Sequence, residues 1–197
     1  MRYFLLFTAC VVTLAAQIPA KNFFKISGSP TAPVTMELYT DYQCPHCREF
    51  YLDTLPAVIK EYVNTGKVRL IHRDFPLPSF PYSRLAARYA NAAGEIGKYD
   101  IVAKQLFETQ PQWGQNGNID AEVAKVLSRA EMQKVRDMVK NDKTLDSTVV
   151  TDVDMGNKDN LNQTPTIVIV AKGKREVISG AVPFPVLKSY LDQKLGK

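Results

Sequence analysis

The sequence predicts an α/β fold: a central sheet interrupted, after its third strand, by a block of helices. Three observations predict it. A strand, a helix and a second strand follow one another between Val34 and Ile71; helical apolar spacing fills the chain from Tyr82 to about Asn160; and a strongly apolar hairpin then leads into a final amphipathic helix. At 197 residues and 45% hydrophobic content, the chain can bury a sizeable core as one medium domain or as one domain with an insertion.

Residues 1–20 read as a secretory signal peptide, with Arg2, an apolar run from Phe4 to Ala16, and Gln17-Ile18-Pro19-Ala20 before the first lysine. The run is too short to span a bilayer comfortably, which favours cleavage near Ala16 or Ala20 over a retained anchor. Cys10 follows Phe7-Thr8-Ala9 in a loose likeness to a lipoprotein cleavage site, but most of the apolar region lies after it. It is read as discarded with the leader. Phe23 to Ile26 is expected to be a short edge strand, and Gly28-Ser29-Pro30-Thr31-Ala32-Pro33 a turn-rich connector. Val34 to Tyr39 reads as a buried strand. Pro45 suits the first turn of a helix, where its missing N–H would be unpaired anyway. That helix continues through Phe50, Tyr51, Leu55, Val58, Ile59, Tyr62 and Val63 to Gly66, with a kink expected at Pro56. Val68 to Ile71 is the next strand.

The helical block carries apolar sets at Leu85, Ala86, Tyr89 and Ala93, at Ile101, Val102 and Leu106, at Val123, Val126 and Leu127, and at Val135, Met138 and Val139. Asn116-Gly117-Asn118 is a loop, and Ser128 with Glu131 forms a capping-box pattern opening a further helix. Thr166 to Val170 is the strongest strand, Lys172-Gly173-Lys174 a turn, and Glu176 to Ser179 its hairpin partner. Phe184, Leu187, Leu191 and Leu195 mark the last helix. The resulting division is residues 21–81 and 161–197 as one α/β domain, with 82–160 inserted.

The chain has 25 Lys and Arg against 20 Asp and Glu, a net charge of +5, which falls by the one charge of Arg2 to +4 without residues 1–20. The basic residues are interspersed with acidic ones and form no stripe, which argues against nucleic-acid binding. Cysteine usage is more informative. Beyond the leader only Cys44 and Cys47 remain, and a bridge closing so short a loop contributes little to folding. An exported chain that keeps only such a pair points to its use in chemistry.

In Cys44-Pro45-His46-Cys47 the first cysteine falls at a helix N-terminus, where the dipole stabilises a thiolate, and His46 can add a donor or a positive charge beside the sulfur. Stabilising the thiolate stabilises the reduced pair, so such a pair tends to give its disulfide away, with Cys47 as the resolving thiol. Competing readings fit less well. Zinc needs about four ligands, and only His46 and His72 are on offer beyond the cysteines, so no metal is expected. Covalent haem needs histidine directly after the second cysteine, where Arg48 stands.

On these residues the chain resembles the DsbA-like branch of the thioredoxin superfamily, the bacterial exported thiol oxidases. Cys44-Pro45-His46-Cys47 has the type member's dipeptide, and Ser29 to Cys47 together with Arg73-Asp74-Phe75-Pro76-Leu77 resemble its single-domain group. The resemblance implies a thioredoxin fold with a central mixed sheet and a helical insertion. It also implies that Thr164-Pro165 is a cis-proline loop that offers its backbone to an extended substrate segment. The family's buried acidic residue, six positions before the first cysteine, is replaced by Leu38 here. Its neighbour Glu37 is then either a proton relay or an ordinary polar residue, because adjacent strand residues face opposite sides. Asp41 is open in the same way, as a relay or a turn residue.

The expected activity is therefore donation of the Cys44–Cys47 disulfide to reduced cysteines of exported proteins, without a cofactor, by a monomer in the periplasm or on the outer face of the cytoplasmic membrane. A quinone-linked membrane protein would reoxidise the pair. Two alternatives stay open: a reductase or isomerase of the same fold, and a binding module in which the pair is a passive bridge. Trp113, Phe80 and Tyr82 are read as core or cover rather than as a groove, and His72 as a structural histidine.

Overall fold

The computed structural model describes residues 20–196, so the leader and Cys10 lie outside the described residues apart from Ala20. The expected strand over Phe23–Ile26 is instead a 3-10 turn at Ala20–Lys25 followed by two paired residues, β1 (Ile26–Ser27). The reason is that consecutive residues are drawn inward here. Phe24 packs its ring 5.3 Å from that of Tyr99, and Lys25, 2% exposed, drives its ammonium between Asp74 and Asp152. A strand would send one of the two outward.

β2 (Val34–Thr40) leads to the cysteine helix, which begins as α1 (Pro45–Glu49). Pro56, whose ring clashes with the carbonyl four residues back, is accommodated by widening and not by a break. Phe50–Thr54 and Ile59–Val63 are π-helical turns on either side of α2 (Leu55–Val58). β3 (Val68–Asp74) follows. Then come α3 (Ser83–Gly94), α4 (Tyr99–Glu108), α5 (Gln110–Trp113), α6 (Ile119–Val123), α7 (Arg129–Asn141) and α8 (Thr144–Lys158). The Ser128–Glu131 capping box opens α7. β4 (Thr166–Ala171) and β5 (Lys174–Ser179) form the hairpin, and Lys172 and Gly173 both take positive φ, the geometry that matches the right-handed twist of paired strands. α9 (Phe184–Lys194) closes the chain.

The sheet order is β1-β3-β2-β4-β5. β2 and β3 run parallel and every other pair antiparallel, which makes this a mixed sheet. One face buries Val34, Met36 and Leu38 of β2 against Phe50, Leu55 and Val58 of the cysteine helix and Leu187 and Leu191 of α9. The other face carries Tyr39, Phe75 and Val168 beneath α8. α8 comes close there because Gly156 has no side chain: a Cβ would stand 2.6 Å from the Phe75 ring. The inserted helices enclose a further core that contains Leu106, Phe107, Trp113, Ile119 and Val135 and takes in Tyr42, Cys44 and Cys47 of the cysteine segment. Trp113 is fully buried and its indole N–H donates to Leu106 O at 2.8 Å, which makes it a core residue. Among the described residues no helix is long and apolar enough to cross a membrane.

Candidate active site

β2 ends at Thr40, and the turn Asp41-Tyr42-Gln43 delivers Cys44 to the N-cap of α1 with extended backbone (φ −74°, ψ 121°) and Pro45 next. The Cys44 carbonyl accepts the N–H groups of Cys47 and Arg48, both at 3.1 Å. Cys47 lies one helical turn on and is fully buried, while Cys44 is 5% exposed. Opposite them the Thr164–Pro165 peptide bond is cis, and Cys44 Sγ lies 3.5 Å from Thr164 O, which accepts from it when the thiol is protonated. Thr164 is 7% exposed and its hydroxyl is otherwise unpartnered. Thus 120 residues of sequence separation close into one site because β4 pairs with β2 and starts where β2 ends.

Both cysteines are free thiols, and their environments differ sharply. A hydrogen bond from the Cys47 thiol, with further help from Thr164 and the backbone N–H groups of Cys47 and His46, lowers the Cys44 thiol to about 5 despite its burial. Burial, reinforced by the hydrogen bond and charge of Cys44, pushes the Cys47 thiol well above its ordinary value. At pH 7 Cys44 is mainly thiolate while Cys47 keeps its proton. One anionic, nucleophilic sulfur therefore stands beside a protonated one.

The other expected site residues fall differently. Pro45 is exposed beside Cys44. The His46 side chain is 73% exposed and its Nδ1 lies 3.4 Å from Glu49, so its backbone N–H is the part that favours the sulfur anion. Glu37 lies next to Leu38 on the strand and so faces away from the cysteine helix; its carboxylate takes Arg175 at 3.1 and 3.3 Å and Tyr39 OH at 3.1 Å. Asp41 precedes Cys44 by three residues. It is 1% exposed, and its backbone N–H donates to Cys47 Sγ at 3.4 Å. Its side chain accepts from the N–H groups of Leu77 and Gln43, both at 2.7 Å, and from the Ser83 hydroxyl, and burial still raises it to about 6. His72 is buried between the rings of Tyr51 and Tyr99, and burial lowers it to about 4.

Two glutamines that sequence reasoning did not single out complete the loop. Gln43 accepts from Tyr82 N–H at 2.8 Å and donates to Gly114 O at 2.7 Å. Gln110, 6% exposed, donates to Tyr42 O at 2.7 Å and Cys44 O at 2.9 Å. No sequence pattern marks either, since each partner is a backbone group brought near only by folding. Among the described residues no group of three His, Cys, Asp or Glu side chains could hold a metal ion.

A family model described as thioredoxin matches residues 25–192. Disulfide bond formation protein D of Bacillus subtilis is 28% identical over 179 residues, which span 86% of this chain and 76% of that relative. Among solved structures, oxidised BdbD from Bacillus subtilis superposes with a TM-score of 0.74 at 25% identity, covering 88% of this chain and 93% of that one. Alpha-DsbA1 of Wolbachia pipientis superposes with a TM-score of 0.74 at 24% identity over 87% of this chain and 90% of that one, a likeness of fold.

Proposed function

We propose, from the premise that this chain belongs to the thioredoxin family and is a thiol:disulfide oxidoreductase, that it runs in the oxidising direction on newly exported proteins. The observation that carries this reading is the contrast between the two thiols: an anion on Cys44 stabilises the reduced pair and so makes the disulfide a strong donor.

The steps follow from that contrast. A substrate thiolate attacks Cys44 Sγ of the Cys44–Cys47 disulfide. The S–S bond breaks, Cys47 leaves with the electron pair and takes up a proton, and a mixed disulfide joins substrate to Cys44. A second substrate thiolate then attacks the substrate sulfur of that bond and releases Cys44 as its stabilised thiolate. The substrate gains a disulfide, and two electrons rest on the cysteine pair. Thr164-Pro165 offers backbone to an extended substrate segment beside Cys44, a form of strand addition. A quinone-linked membrane protein then removes the two electrons. In this reading residues 1–20 direct export, residues 21–81 and 161–197 are the catalytic domain with 82–160 inserted, and the protein acts as a monomer in the periplasm or on the outer face of the membrane.

The test is stoichiometric oxidation of a reduced two-cysteine peptide by the oxidised protein, read by mass spectrometry. The expected result is one peptide disulfide formed for each Cys44–Cys47 pair reduced. Peptide left as dithiol would reject the oxidising direction.

A further inference from the structure

The loop that carries Cys44 is hung from the inserted helices by side chains on both sides. Gln43 reaches outward to Gly114 O and Tyr82 N–H, and Gln110 reaches inward from the start of α5. Both protons of the Gln110 amide are committed to this loop, one to Tyr42 O and one to Cys44 O. The Cys44 carbonyl thereby takes three donors: Gln110 at 2.9 Å, and the N–H groups of Cys47 and Arg48. That carbonyl belongs to the residue whose sulfur reacts, and its oxygen is held in the first turn of the cysteine helix. The three donors fix the turn whose Cys47 and His46 N–H groups favour the anion of the same sulfur.

We propose that Gln110 is a positioning residue for disulfide exchange, through which the helical insertion tunes the thiolate of Cys44. The proposal rests on Cys44 being the attacking thiol. It gives the insertion a share in the chemistry through one neutral side chain 66 residues from the cysteine it serves.

The test is Gln110→Met, which keeps the length of the side chain and removes both donors, with the exposed Gln112→Met as control. In purified reduced protein the Cys44 thiolate is followed by absorbance at 240 nm across pH, and the glutathione redox equilibrium is measured. Gln110→Met is expected to raise the Cys44 titration point and to move the redox equilibrium about three- to tenfold towards the disulfide, with Gln112→Met unchanged. A lower melting temperature with neither quantity moved would make Gln110 structural only and overturn the proposal. Should Gln110→Met not fold, 15N NMR of the unsubstituted protein decides: the proposal requires slowly exchanging Gln110 amide protons whose shifts change on reduction, and rapidly exchanging ones overturn it. If unsubstituted Cys44 itself titrates as an ordinary thiol, it is the assignment of Cys44 as the active thiolate that fails.

Discussion

Cys44→Ser is expected to slow oxidation of a reduced peptide by on the order of a thousandfold or more, as loss of a covalent nucleophile does elsewhere. Serine matches the size of cysteine, so the N-cap geometry and the contacts of Gln110 and Thr164 should persist, but its oxygen cannot form a disulfide. Cys47 offers no substitute, because it is fully buried and its proton is held tightly. Cys47→Ser should behave in the opposite way. Offered a one-cysteine peptide as its symmetric disulfide, the Cys44 thiolate attacks one sulfur and expels the other peptide as a thiol; with no Cys47 thiol to resolve it the mixed disulfide persists, so mass spectrometry should find peptide attached at Cys44 in high yield. Equal loss in both variants with no trapped adduct would mean that Cys44 is not the sulfur that meets substrate.

Lys25→Met is expected to cost about 3–5 kcal/mol of stability, the usual consequence of stripping one partner from a buried ionic cluster. Burial alone would depress the Lys25 ammonium, yet the carboxylates of Asp74 and Asp152 overcome this and hold it above its ordinary value. Asp152 also accepts from Arg73 at 3.0 Å and from the backbone N–H of Asp74 at 3.0 Å, and Asn91 donates to Asp74 at 2.8 Å. Removal of the ammonium leaves two buried carboxylates facing each other, with Arg73 on only one of them. The double variant Lys25→Met/Asp74→Asn removes that repulsion and should regain a substantial part of the loss in urea unfolding. A Lys25→Met protein within 1 kcal/mol of the parent, by the same order-of-magnitude reasoning, would show that the cluster is solvated and not buried.

The sequence made some of this legible through local rules and hid the rest in tertiary contacts. Apolar runs bounded by turn residues mark β2 and the β4–β5 hairpin, helical period marks α3 through α8 as a block, and Pro45 puts Cys44 at a helix start. Lys25 was invisible as a core residue, because a lysine after an apolar leader reads as a surface charge. Its partners lie 49 and 127 residues away. The same distance problem hid Gln110, and the π-turns around Pro56 answer to how the helix backbone makes room for that proline's ring. Period-two reasoning did place Glu37 and Leu38 on opposite faces, but the commitment of Glu37 to Arg175 needed the fold of the hairpin.

The most direct test of the account is the redox equilibrium of the purified protein with glutathione, repeated from pH 4 to pH 10. A potential well above thioredoxin's about −270 mV, towards the about −120 mV of DsbA, is expected. The Cys44 thiol is depressed, so the reduced state gains stability from it above about pH 5; this is complete above the ordinary thiol value of 9.0 and is lost as pH falls through about 5. In that window reduction takes up one proton for two electrons, so the potential should fall by about 30 mV per pH unit, steepening to about 59 mV below pH 5. A potential near thioredoxin's, with the steep slope across the whole range, would mean that Cys44 holds an ordinary proton and that the pair is no disulfide donor.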